Sequence, residues 1–244
     1  MFTTFDLEFA WIGLGAAVVL AVVLLSTDVL RSDLGLPRWK DPCWLGWLAV
    51  VLYLVHIFEE YGIAANGARH AFPDTLCGTL GIGTYPACPI PTEFYLFVNI
   101  GLTWVVAVLC ALLARRYAVM GFAFYSLVAV NCVFHIVAAL VTGTYNPGLL
   151  TSITLFLPAS AWAGYVFLTH RAPALGVGRL LGIVAVGIVV NGALPLTIQL
   201  FLHGVISRPV LDLLQLAIAV LILLTGGLLE PRPGPVSSAP GSPR

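Results

Sequence analysis

The residues best equipped for chemistry stand close together in a stretch that is otherwise apolar: Tyr53-Leu-Val-His56-Ile-Phe-Glu59-Glu60-Tyr61. On an α-helix Glu59 falls about 60° to one side of His56 and Glu60 about 40° to the other, so all three share a face, and Tyr53 joins it one turn earlier. Histidine and carboxylate three or four residues apart are what helices use to hold metals in a bundle core. The same grouping suits acid–base work, because neighbouring carboxylates drive their pKa values apart. A second pair follows at the same helical spacing, Asn131 and His135. The metal reading takes His56, His135 and one of Glu59 and Glu60 as ligands of zinc or iron, with an open coordination position. The other glutamate is then a general base or a support, and Asn131 orients substrate or ligand. The metal-free reading keeps one glutamate protonated by desolvation as the acid, with a histidine to take the proton back.

The elements that must position these groups are membrane helices. Of 244 residues, 60% are apolar and 9% charged, and the mean hydropathy is +1.01, whereas a soluble domain carries about 25% charged residues. Segments of about 20 apolar residues span a bilayer, and seven are present, at about 8–28, 43–62, 92–114, 118–142, 149–168, 180–202 and 209–229. The fold class is therefore all-α, a polytopic bundle forming one domain over 1–230, with a disordered, apolar-poor tail over 231–244. The first segment has neither a basic leader nor a cleavage site and reads as a retained anchor. The zero net charge points to no nucleic-acid partner, and no feature specifies an oligomer. The partners expected are the lipid bilayer and a lipophilic small molecule.

Nine of the eleven basic residues fall in the loops after spans one, three and five and in the tail, leaving Arg69 and Arg208 on the other side. The positive-inside rule then puts the N-terminus outside and the C-terminus in the cytoplasm. Counted from the outer ends, His56 and His135 lie roughly 9–10 Å deep, and Asn99 lies at a similar depth. Glu93 stands at the outer mouth of span three, and Asp212 and Gln215 lie in the first turns of span seven. One polar layer in the outer half of the membrane is what a site would produce, with Tyr53, Glu93, Asn99 and Gln215 as substrate contacts and Asp212 as a further acid. Intramembrane ionisable groups carry that expectation by default. His70 and His203 read as solvated at the outer surface, and His170 lies on the inner side, away from the site.

The outer loop at about 63–91 holds Cys77 and Cys88, and an exterior position permits a disulfide between them. Cys43, Cys110 and Cys132 read as small buried hydrophobes. Gly178 and Gly182 are a small-xxx-small pair where span six can pack closely, and Pro158 and Pro195 are expected to kink spans five and six. Asn191 and Gly192 stand close before Pro195 in span six.

His56-Ile-Phe-Glu59-Glu60, then Asn131-Cys-Val-Phe-His135, then Tyr145-Asn-Pro147-Gly148 resembles the HXXEE-domain family of bacterial membrane proteins over roughly residues 45–165. The resemblance implies that His56, Glu59, Glu60, Asn131 and His135 are signature positions of a family of unknown function, and that the chain resides in a bacterial cell membrane. In architecture alone, seven spans with glutamate in the second and aspartate in the seventh is similar to the small membrane terpene cyclases, which implies Glu59 or Glu60 with Asp212 as acids. The expected function is thus a membrane-embedded, metal-dependent enzyme acting on a lipid-like or isoprenoid-like molecule. The alternatives are a metal-free cyclase or isomerase, a proton-coupled transporter, against which the lack of an internal repeat counts, and a structural polar clasp between helices.

Overall fold

The computed structural model describes residues 4–169 and 176–231. The tail from 232 onward, His170 and Arg171 lie outside the described residues, so the expectations for them are not addressed by the structure. The described residues form eight helices: α1 (Thr4–Ser26), α2 (Pro42–Gly62), α3 (Ala71–Thr79), α4 (Thr92–Leu113), α5 (Met120–Thr142), α6 (Leu149–Thr169), α7 (Gly176–Leu202) and α8 (Arg208–Leu229). No strand occurs among them beyond an isolated bridge between Ile63 and Arg69. All but α3 are long and apolar enough to cross a membrane, which is the seven-span, multi-pass arrangement the hydropathy predicts. The helix α3 was not anticipated. It is short, lies in the 63–91 loop with Cys77 joined to Cys88, and sends Phe72 against Tyr61 at the end of α2, ring centroids 5.7 Å apart.

α2 is the helix around which the others stand. In its apolar window 72% of the residues are buried, against 28–44% in the other spans. Its start is fixed by Asp41, which is fully buried. That carboxylate accepts from Cys43 N at 2.8 Å and Trp44 N at 3.2 Å, which have no partner within the helix; Pro42 follows it at the first helical position. It also accepts from Ser32 N, Ser32 Oγ and Asp33 N at 2.7–2.8 Å, so one side chain both caps α2 and clamps the preceding loop.

The loops sort into two ends. At one, Arg115 donates to the Val29 carbonyl, Trp162 Nε1 to the Trp39 carbonyl at 2.6 Å, and Val119 N to Glu230 at 2.8 Å. Here too Arg31 pairs with Asp28 at 2.7 Å and holds that exposed carboxyl below the usual range. At the other end, Arg69 meets Glu8 at 3.5 Å, Arg208 meets Glu93, and Ala65 N donates to the Tyr145 hydroxyl at 3.1 Å. Successive spans therefore alternate in direction.

α7 packs most closely not at the predicted small-residue pair but at Gly187, where an added Cβ would stand 2.1 Å from the Ser126 carbonyl of α5. Gly182 meets only Leu229, and Gly178 faces open space. Pro195 sits inside α7, which stays helical from Gly176 to Leu202. Asn191 is turned back onto the Gly187 carbonyl at 2.8 Å. In α6 a π-helical turn over Ser152–Phe156 precedes Pro158, and similar turns interrupt α2 at Phe58–Gly62 and α4 at Ile100–Ala107.

Removing the Asp41 carboxylate orphans two helix-start amides and three loop donors. Asp41→Ala should therefore cost about 2 kcal/mol or more. In tryptophan-fluorescence melts of detergent-purified protein at a fixed scan rate, its Tm should fall well below that of a surface change such as Arg69→Ala.

Candidate functional site

The π turn at Phe58–Gly62 carries the two glutamates, and such turns put one extra residue into the helical repeat. Glu59 and Glu60 meet different neighbours. Both are buried, as are His56 and His135.

Glu59 turns towards the start of α6. A helix beginning inside a membrane has unpaired backbone N–H groups that no water can satisfy. Leu150 N donates to Glu59 Oε1 at 3.1 Å and Thr151 N to Oε2 at 2.7 Å. The Thr151 hydroxyl adds a bond at 2.6 Å and the Tyr145 hydroxyl another at 2.6 Å. Burial, and then the bond to Glu59, raise the Tyr145 phenol above its ordinary value, which keeps it a donor. Glu59 thus accepts from four donors, which is what an ionised carboxylate provides. It caps a helix belonging to another part of the chain.

His56 is tied to the same network, its Nδ1 lying 2.7 Å from Thr151 Oγ1. A hydroxyl has one proton, and Glu59 takes it. Thr151 therefore presents a lone pair to His56, and Nδ1 must carry the imidazole proton. His56 Nε2 is buried and without a hydrogen-bond partner. His135 is set the same way. Asn146 Nδ2 donates to the His135 carbonyl at 2.9 Å, so its Oδ1 faces His135 Nδ1 at 2.6 Å and accepts that proton.

Both Nε2 atoms point at Glu60. His56 Nε2 is 3.6 Å and His135 Nε2 3.4 Å from Glu60 Oε1, beyond the 2.7–3.2 Å of a normal N–H···O bond. One ligand atom from each of the three residues lies within 4.8 Å of the other two. Ligands about 2.1 Å from a tetrahedral metal stand about 3.4 Å apart, so the two measured edges fit a shared ion. Phe156 lies against the His56 ring at 4.5 Å, and Tyr53 stacks on Phe156 at 5.3 Å. Gly148 closes the cluster at φ +95°. A Cβ there would stand 2.6 Å from His135 Cε1 and 2.7 Å from His56 Cε1, so only glycine leaves both rings in place.

Of the residues singled out from sequence, the structure brings together His56, Glu60 and His135, with Tyr53 against them. Glu59 is not among these converging atoms; it meets the start of α6 instead. No hydrogen bond among the described residues joins Asn131 to the cluster, and its Oδ1 is buried without a partner. The outer polar layer divides between helix interfaces. Glu93 pairs with Arg208, and these two are the charged neighbours of Asp212. Gln215 donates to Thr197 Oγ1 at 3.1 Å and to its own helix at Leu211 O. Asn99 donates to the Tyr95 carbonyl one turn back. Glu93, Asn99 and Gln215 therefore bond elsewhere, and Asp212, whose buried Oδ1 has no hydrogen-bond partner, stands beside Arg208 and Glu93 and not in the cluster, because depth fixes a residue's height but not which neighbouring helix it faces. Thr151, Asn146 and Tyr145 were not assigned roles from sequence. Their signal is the Pro147-Gly148 turn, which starts a helix whose first amides need acceptors.

Residues 47–163 match the model of a family described as "Protein of unknown function with HXXEE motif", a stretch that runs from α2 into α6 and contains every residue of the cluster. No curated protein and no solved structure matches the chain, and the architectural likeness to membrane terpene cyclases gains no support.

The capping role of Glu59 is open to experiment. Glu59→Ala leaves two α6 amides and two hydroxyls without their acceptor and should cost on the order of 3 kcal/mol, whereas Thr151→Val, which keeps the backbone bonds, should cost about 1 kcal/mol. Thermal melts of the two variants in one detergent should show that order.

Proposed function

We propose, for a chain whose residues 47–163 belong to the HXXEE family, a membrane-embedded, metal-dependent enzyme acting on a lipid-like molecule. The observation that carries this reading is the convergence of two imidazole Nε2 atoms and one carboxylate oxygen on a common point, with the opposite ring nitrogens bonded to Thr151 and Asn146. Histidine ligands are held in this way in metal sites, their second nitrogen bonded to an oxygen that sets tautomer and orientation. The mixed N/O ligand set suits zinc or iron.

In this reading His56, His135 and Glu60 hold the ion, and Glu59 fixes Thr151 and, through it, His56. A bound ion of this kind supplies Lewis-acid polarisation of a substrate oxygen or activates a water. Gly148 keeps the approach free of a side chain, and Tyr53 and Phe156 supply an apolar wall. The substrate class follows from the surroundings of His135: Phe134 and Val137 beside it are 53% and 48% exposed on the outer surface of α5, and Leu150 and Ile153 of α6 are about half exposed. A lipophilic molecule in the bilayer lies within a side chain of the cluster. The distribution of basic residues further supports an outer-leaflet location, with the cluster's end outside and the C-terminus in the cytoplasm of a bacterial cell.

A metal-free acid–base reaction is the second reading, favoured by the 3.4 and 3.6 Å spacings, which would also admit a proton held between histidine and Glu60. It would draw on Glu60 and the histidines, since Asp212 keeps company with Arg208 and Glu93.

Elemental analysis of detergent-purified protein separates the two. About one zinc or iron per chain is expected, lost in His56→Ala, His135→Ala and Glu60→Gln but retained in Asp212→Asn. Folded wild-type protein that neither contains nor takes up either metal on titration would refute the metal reading and favour the proton.

A further inference from the structure

The unused cations gather at the opposite end of the molecule. Among the described residues Arg31 and Arg38 share Asp28, Arg69 meets Glu8, and Arg208 meets Glu93. Lys40, Arg115 and Arg116 form no ion pair with a described carboxylate, and all three line one cavity of about 260 Å³. The acidic residue in its wall is Asp33, whose Oδ1 accepts from Gly35 N at 2.8 Å, and the three cations outnumber it. Arg115 spends one N–H on the Val29 carbonyl, and Arg116 lies 5.3 Å over the Tyr117 ring, so charge remains available on each. The inner wall is apolar, with Leu36, Phe122 and Val166. The cavity thus sits between the loops after α1 and α4 and the ends of α2, α5 and α6.

Lys40 also borders a second hollow, formed along α6 by Pro158, Ala161, Trp162 and Tyr165. Trp162 and Tyr165 are 36% and 48% exposed there, and Trp162 is anchored by its indole N–H to the Trp39 carbonyl. Amphipathic aromatics of this kind mark the membrane–water boundary. A cationic pocket at that boundary, joined through one lysine to an apolar groove running into the membrane, has the two-part shape of a phospholipid.

We propose that this end of the molecule binds an anionic phospholipid, its phosphate between Lys40, Arg115 and Arg116 and an acyl chain along Pro158, Trp162 and Tyr165. Basic pockets between membrane helices take lipid headgroups by the same electrostatics. Fourteen residues of α2 separate Lys40 plus two from His56, roughly 21 Å of helix, so the site is distinct from the His/Glu cluster and does not depend on what that cluster does. A free inorganic phosphate would satisfy the cations but leave the groove without an occupant.

Native mass spectrometry of the full chain in a neutral detergent provides the test, with phosphatidylglycerol and phosphatidylcholine added in parallel. Wild-type protein should retain phosphatidylglycerol in preference to phosphatidylcholine. Lys40→Gln with Arg116→Gln, two partly or fully exposed changes that break no ion pair, should weaken retention about tenfold or more. Trp162→Ala should weaken it too, while Arg69→Gln at the far end should not. Equal retention of the two lipids by wild-type protein would overturn the proposal, as would undiminished binding in the double variant. Displacement of the lipid by an equal concentration of inorganic phosphate would overturn the lipid assignment in favour of a soluble anion.

Discussion

The first amides of α6 have no acceptor within their own helix, and in this protein the acceptor is Glu59. Much of the cluster depends on that one carboxylate. It receives Leu150 N, Thr151 N and the hydroxyls of Thr151 and Tyr145, and so ties α2 to α6 and to the loop between α5 and α6. The cost of burying the charge is met by four donors that would themselves be unsatisfied in hydrocarbon. A neutral amide in its place would turn a donor towards one of those donors, so the carboxylate is needed for the count of bonds as much as for its charge.

The consequence runs outward through one hydroxyl. Because Thr151 donates to Glu59, it can only accept from His56, and the free nitrogen of His56 is thereby forced to face Glu60. Asn146 imposes the same condition on His135 from the other side, its orientation set by the bond it gives to the His135 carbonyl. The cluster is therefore preorganised by groups that do not belong to it. Gly148 completes the arrangement by absence, since any side chain there would push both rings apart. A polar clasp built only to hold helices together would be expected to close its own hydrogen bonds. Here the structural bonds are closed by Glu59, Thr151 and Asn146, and the three atoms that face one another are left open.

The sequence made the seven spans legible because length and hydropathy are one-dimensional quantities, and the predicted ends fall within a few residues of the observed ones. The i, i+3/i+4 spacing placed His56 beside the glutamates, and depth counting put His135 at the right height to meet them. What could not be read is rotation. A span that is apolar on all sides says little about which face meets which neighbour, so Asp212, Gln215, Asn99 and Glu93 were grouped with the histidines on height alone. The π turn was equally hidden, since Phe58-Glu59-Glu60-Tyr61-Gly62 contains no residue that demands it. Thr151 escaped notice because a threonine in an apolar span is common and gains meaning only when its partners are known.

In a chain with so few charged residues, nearly every charge can be followed to its partner, and the remainder is informative. Asp41 is saturated by five donors and Glu59 by four. Arg208 serves Glu93 and lies beside Asp212, and Asp28 serves two arginines. Among the described residues two further groups stand out. One is His56, Glu60 and His135, buried among α2, α5 and α6. The other is cationic, at the far end of α2, where Lys40 meets Arg115 and Arg116. Isolated charges left by chance would be scattered and would tend towards the solvated loops. These instead converge three at a time on single points, one where the surroundings are most apolar and one where a membrane surface would lie. Charge that has been concentrated without a partner from the protein itself is charge held ready for something outside it.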